Sequence, residues 1–472
     1  MVNYGVSRAC EAVTNYVQDE KDVIFRQWPS PPSQQHSSTC WPDAALNDTE
    51  IEARALVVFL NEFVVEPANR ELSRGFLDGM RTLLDRAGPD SILAGAAKLV
   101  ALACVAHRLR RPSLLRRLEE QYGFLIQNFN RSLSLEGDCV TIESLYTAVL
   151  FGLYEVMHVR GVNAILASGA SHLDWGSDAQ IIELGIPLLL KLTMDESRIN
   201  GILRASAKHS PGQALDTIMI AFWHFLNRIA LALEGTTSSV EELTQLRRDA
   251  EMLEQKFTGW GASHSDERTS PAPQTIGFVS AQAARSSGTA YCHAGPVDVY
   301  PDYYVATVWN TYRKSHIYIL DVLMQIDSRL HVQAADDAPQ RDKAEEIVAG
   351  LIASVPFLLA SDVHEYFDRV NAGTLPVQTN RPVGGLLLLH PLYCIATSPI
   401  VSLATRKYCR RCLEWIGSDM GIGQAAVLAK SLNFTKEPSH VQPDRNTDPR
   451  LPYQVMSESN NLIWAGMLLQ PI

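Results

Sequence analysis

Positive charge is what this chain is short of. It carries 41 Lys and Arg against 52 Asp and Glu over 472 residues, a formal net charge of -11. Nucleic-acid backbones are held largely by Lys and Arg that displace condensed counterions, so a chain with this balance is a poor reader of DNA by itself. Two local basic runs, Arg108, Arg110, Arg111, Arg116, Arg117 and Arg406, Lys407, Arg410, Arg411, sit beside acidic or apolar residues and read as solvated helix faces. The opening stretch MVNYGVSRACEAVTNYVQ lacks the apolar centre of a secretory signal, so the chain is expected not to be secreted. A long uninterrupted apolar run is missing too. The best one, Gly384 to Ala404, contains His390, Pro391, Ser398 and Pro399, so it reads as a buried helix pair broken at a proline and not as a membrane span. Cysteine is sparse: the eight residues are scattered, which fits reduced buried thiols and not a disulfide framework. Only Cys409-Arg-Arg-Cys412 has metal-like spacing, and a lone CxxC supplies two of the roughly four ligands a structural zinc needs. No metal and no cofactor is expected.

What is present is helical periodicity, carried by 46% hydrophobic and 20% charged residues, an ordinary globular composition. Thr49 and Glu52 have capping-box spacing ahead of an apolar helix that stops before Pro67. Helices are expected over Ser73–Ala87, Ser91–His107, Pro112 to about Ser132, Ile142–His158, Ala179–Leu192, Pro211–Leu233, Val240–Phe257, Tyr303–Ile326, Ala344–Leu359, Val363–Val370, Leu386–Ala396, Pro399–Gly417, Ile422–Leu432 and Asn460–Leu469. No alternating run of convincing length appears, so the fold class is all-α. Residues 1–45, with PSPPSQQHSS, read as a linker-like segment ahead of an all-helical body over 46–472. Residues 258–296, rich in Ser, Gly, Ala and Pro, read as a long irregular insert in it, and 331–342 as a polar break.

Residues that would carry chemistry are few. GxSxG, P-loop and HExxH patterns are absent, and without strands there is nothing to carry a Rossmann fingerprint. Asp336-Asp337 falls in the polar break and reads as loop charge; Asp195-Glu196 reads as charge favoured at a helix start. Asp216, His224 and Asn227 fall near one face of an otherwise apolar helix. They are candidates to line a small-molecule pocket, against the plainer reading of buried polar groups with internal partners. Trp309 and Arg313 are candidates for the same pocket, with Arg313 and Lys314 otherwise read as a solvated helix face.

Three stretches resemble the regulatory domain of fungal two-zinc, six-cysteine transcription factors. The first is ALVVFLNEFV, Arg74-Gly-Phe-Leu-Asp, the small-residue helix from Ser91 and the Tyr122 helix after it. The second is Trp309-Asn310-Thr311-Tyr312-Arg313, similar to the family's WN-x-YR helix. The third and most specific is Gly384 to Leu432, with His390-Pro391-Leu392-Tyr393, Trp415-Ile416-Gly417 and Met420-Gly421-Ile422-Gly423-Gln424-Ala425. Trp309 and Tyr312 share a helix face, and Gly417 and Gly421 are expected to bracket a helix break. Pro391, Met420 and Gln424 complete the family pattern as structural residues. The family's DNA-reading module is absent from this sequence, because its six clustered cysteines have only Cys10 and Cys40 to answer them in the first hundred residues. The resemblance implies transcription regulation in the nucleus or nucleocytoplasm, of a metabolic or secondary-metabolite pathway, through a protein partner or a hydrophobic small-molecule effector. It implies no direct nucleic-acid contact by this chain and leaves a homodimer open. The alternative is an enzyme of lyase or cyclase type on the same helical scaffold.

Overall fold

The computed structural model describes residues 46–67, 69, 73–135, 142–157, 211–234, 239–264, 272–330, 338–374 and 381–432. The expected segment 1–45, the helices over 179–192 and 460–469, and Asp195, Glu196, Asp336 and Asp337 lie outside these residues. The described part contains fourteen helices and one two-stranded sheet, and the fold is all-α. One contiguous apolar core links Ile51 to Leu432. No helix among the described residues is long and apolar enough to cross a membrane.

The first layer is α1 (Asp48–Glu62), α2 (Met80–Ala87), α3 (Ile92–Arg108), α4 (Pro112–Leu135) and α5 (Ile142–Met157). The capping box of α1 is formed by Asn47 and Glu50, whose side chains each accept the other's backbone N–H at 3.0 and 2.9 Å. Thr49 and Glu52, the expected pair, lie inside the helix, and Glu52 instead meets Arg117 of α4 at 2.8 Å. The helix expected from Ser73 starts only at Met80. Phe76 pairs with Val65 in a short bridge, and Gly75 and Gly79 adopt left-handed φ of +69° and +75°, which unwinds the chain before the helix. Helix α3 is buried almost all round. Its alanines and Gly95 let α1, α4 and α5 come close; a Cβ on Gly95 would meet the Leu125 side chain at 2.9 Å.

The second layer is α6 (Pro211–Glu234), α7 (Val240–His264), α9 (Tyr303–Arg329), α10 (Ala338–Leu359) and α12 (Pro382–Thr397), with α9 in contact with the other four. Short elements α11 (Val363–Asn371), α13 (Leu403–Asp419) and α14 (Gly423–Ser431) close the body. The expected break between two buried helices falls beside Pro399, over residues 398–402, and α12 runs through Pro391. Proline forfeits one helical hydrogen bond, and burial of residues on both sides of it offsets that loss. Helix α13 starts four residues later than expected, capped by the Ser402 hydroxyl accepting from the Thr405 N–H at 3.3 Å. Gly417 lies inside α13 and brackets nothing. Its bare Cα admits Ala426 of α14, whose backbone N would lie 2.9 Å from a Cβ there. Only Gly421, at φ +74°, makes the turn.

The expected irregular insert over 258–296 is largely structured. Helix α7 continues to His264 because Trp260 and Gly261 pack on α9. Strands β1 (Gln274–Val279) and β2 (Gly295–Val299) then pair antiparallel around the short helix α8 (Ala281–Ser286). An irregularity between Thr275 and Gly277 breaks the alternation that marks a strand in sequence. The polar break over 331–342 also ends earlier than expected, since α10 begins at Ala338.

Candidate functional site

Helix α9 packs against four other helices, and the Trp309-Asn310-Thr311-Tyr312-Arg313 motif sits within it. Asp302 caps the helix, its carboxylate accepting from the Val305 N–H at 2.9 Å. Because α6, α7, α10 and α12 surround α9, side chains that look solvent-facing in sequence are turned inward. Arg313 and Lys314 are only 6% and 4% exposed, which corrects the expectation of a solvated face.

Arg313 is the centre of the cluster. One of its terminal nitrogens donates to the Tyr300 hydroxyl at 2.7 Å and to the Asn310 carbonyl oxygen at 3.1 Å. The guanidinium also lies over the rings of Trp309, at 5.4 Å, and Tyr300, at 6.0 Å. No carboxylate among the described residues forms an ion pair with it. Asn310 completes the set by donating to the Ser354 hydroxyl of α10 at 2.8 Å, and Ser354 in turn donates to the Leu351 carbonyl at 2.6 Å. Gly350 makes room, since a Cβ there would meet the guanidinium at 2.9 Å. Burial raises the Tyr300 hydroxyl to about 12, so it stays protonated beside the cation.

An aromatic stack covers the other side. Trp260 of α7 meets Trp309 at 5.0 Å and Tyr312 at 4.8 Å, and Trp309 meets Tyr312 edge-on at 5.9 Å. Below it, Phe257 stacks on His316 at 5.8 Å. The Glu254 carboxylate is reached by the His316 ring, Lys343 of α10 and the Thr258 hydroxyl. Hydrogen bonding to His316 leads the causes that hold Glu254 down to about 2, while burial lowers the His316 imidazole. Together these contacts tie α7, α9 and α10 into one unit.

Lys314, on the same helix, faces α12, with Cys394 and His390 among the groups that act on it and on one another. Burial brings its ammonium down to about 8. The C-terminal motif is a second structural joint. The Cys104 thiol of α3 donates to the Met420 carbonyl at 2.9 Å, and a Cβ on Gly421 would lie 2.5 Å from the Cys104 carbonyl. Pro391 and Gln424 are buried in it. The motif thus locks the end of the chain's described part onto the central helix of the first layer.

The structure brings Trp309, Asn310, Tyr312 and Arg313 together but does not add His224 to them. His224 is exposed, half a helical turn from the line of Leu215, Phe222 and Ile229 that packs inward. Asp216 and Asn227 lie on the same helix, α6, and their side chains are outside the described residues. Sequence reasoning missed Tyr300, Ser354, Trp260 and Glu254. Ser354, a lone polar residue in the apolar run from Ile347 to Leu359, was the available signal.

The basic runs are partly consumed as crosslinks. Arg111 pairs with Asp48, Arg117 with Glu52 and Arg410 with Glu414, and Arg406 donates to the Ala396 carbonyl. Cys104, Cys292, Cys394, Cys409 and Cys412 are free thiols. Burial pushes Cys412 up to about 12, so it is a protonated thiol, and no group of three or more metal-binding side chains occurs among the described residues. Surface clefts open between the described helices. One of about 250 Å³ is lined by His293, Glu345, Val348, Ile352, Val401 and Ser402, another of about 220 Å³ by Leu56, Leu60, Leu84 and Pro89.

Over 442 residues, 91% of this chain and 99% of the relative, the sequence is 31% identical to the transcription factor dbaG of Emericella nidulans. The chain belongs to the family of this fungal transcription factor. No family model matches the sequence, and no solved structure matches it. Membership makes it a transcription regulator.

Proposed function

We propose that this regulator acts in the nucleus on a fungal metabolic or secondary-metabolite pathway, by binding a protein partner or a hydrophobic effector, and does not itself read DNA. The observation that carries the reading is the continuous likeness to a transcription factor along a chain whose net charge is -11. The arginines that look basic in sequence and are tied to carboxylates add to it. In this reading the helical body over 46–472 is the regulatory domain. Its α7–α9–α10 unit and the joint at Met420-Gly421 are two packed seams whose relative arrangement a partner or effector biases. Trp309 and Arg313 then act as structural pivots of a seam, since their polar atoms and ring faces are already engaged.

Two measurements test this. Deletion of the gene is expected to change a coherent set of metabolic transcripts. The purified full-length chain is expected not to retard promoter fragments of those genes by itself, and to do so only when a DNA-binding partner is added. Unchanged transcripts after deletion would remove the regulatory assignment, and sequence-specific binding by the chain alone would remove the partner requirement.

A further inference from the structure

We propose that the outer edge of strand β1 is a self-association surface, through which two copies of this chain pair their β1 strands antiparallel. The two strands of the sheet are protected unequally. Strand β2, GPVDV, carries a proline and an aspartate and lies against α10. Strand β1, QTIGFV, has no charged residue and no proline, the residues that ordinarily guard an edge. Its backbone pairs with β2 on one side, and its other edge has no backbone partner among the described residues. The irregularity at Thr275–Gly277 sits in its first half and leaves Gly277, Phe278 and Val279 in regular register with Val297, Pro296 and Gly295.

The side chains point to an occupant. Gly277 faces the Phe367 ring of α11, so that face of the sheet is covered. Phe278, next along the strand, is turned the other way and is 71% exposed, the most exposed of the large apolar side chains among the described residues. An identical strand suits this edge. The chain as a whole is acidic, so two copies repel except where the contact is neutral, and β1 is neutral. A two-fold axis makes the contact self-complementary, with each Phe278 covered by the other copy. The size of the contact sets its strength. Two phenylalanine rings at this exposure remove about 300 Å² from water. With two six-residue strands, the total lies near the roughly 1,000 Å² lower bound for a specific interface, so the dimer is weak and reversible.

The test is sedimentation velocity of the full chain from about 1 to about 100 µM, with hydrogen exchange read over residues 274–279 at both ends of that range. Self-association with slower exchange at high concentration is expected, and Phe278→Lys, a surface change that leaves the core intact, is expected to weaken it at least about tenfold. A chain that stays monomeric throughout overturns the proposal. So does a dimer that Phe278→Lys leaves unchanged, or one that forms while β1 exchanges equally fast at both concentrations. Protection of β1 that appears only when another protein is added also overturns it, and would assign the edge to that partner.

Discussion

Replacing Asn310 by alanine removes a side chain that joins Arg313 to Ser354 of α10. Two losses follow from the geometry. The guanidinium gives up its 3.1 Å bond to the Asn310 oxygen, a bond to a charged donor that contributes about 1.5–3 kcal/mol. Ser354 loses a donor at 2.8 Å but keeps its own bond to the Leu351 carbonyl at 2.6 Å, so this side costs about 0.5–1 kcal/mol. The sum is about 3 kcal/mol. An unfolding entropy of about 2.1 cal/mol/K per residue, over the roughly 300 described residues, converts this to a fall of about 5 °C in Tm. Ser354→Ala keeps the bond from Arg313 to Asn310 and is expected to lower Tm by only about 1–2 °C. Asn310→Asp supplies a carboxylate to the buried cation and is expected to recover part of the loss at pH 7 but not at pH 3. Calorimetry on the three variants decides the matter. A shift for Asn310→Ala no larger than that of Ser354→Ala would mean that Arg313 does not depend on Asn310, and the cluster argument would fail.

Gly421→Ala is expected to lower Tm by more than Gly417→Ala, because only Gly421 combines a left-handed φ of +74° with a backbone oxygen 2.5 Å from the new Cβ; thermal melts of the pair check the order. Stability is expected to fall on acidification in two stages. His316 is lowered in the folded state, so stability is lost as pH drops below about 6.5, where the unfolded imidazole takes up a proton. Glu254 is lowered to about 2, so its contribution is full above its ordinary value of 4.5 and disappears as pH falls toward 2. Glu254→Gln should flatten that second stage, and urea midpoints between pH 7 and 2.5 read it directly. His224→Ala, on the exposed face of α6, is expected to change stability by less than about 0.5 kcal/mol and to leave the transcripts unaltered; a loss of regulated transcripts with the fold intact would return His224 to the candidate site.

How much of this was legible in the sequence depended on whether burial leaves a period. Helix α6 shows one, since Leu215, Phe222, Phe225 and Ile229 recur on one side, and its start at Pro211 agrees with the reading. Helix α12 shows none because it is buried almost all round, and its start at Pro382 lies four residues before the one read at Leu386. Strands β1 and β2 were hidden for the opposite reason. They are five or six residues long, one is irregular, and their exposed side chains dilute the pattern, so a small sheet inside a Ser- and Ala-rich stretch resembles a loop.

The α9 cluster was half legible, and the missing half follows one rule. Trp309, Asn310, Tyr312 and Arg313 are close in sequence, so a motif names them together, but a motif does not say which way a helix faces. Arg313 and Lys314 were read as solvated because charged residues on helices usually are. The inward orientation comes from four other helices packed around α9, and no local window contains those. The partners that make burial of Arg313 tolerable, Tyr300 before the helix and Ser354, 44 residues after Asn310, are likewise non-local. A buried cation that relies on neutral acceptors and ring faces, and not on a carboxylate, holds its helices in one register without a strong ion pair. The proposed function places a shift between two packings at this seam, so the Asn310 variants should be assayed for transcript control as well as for stability.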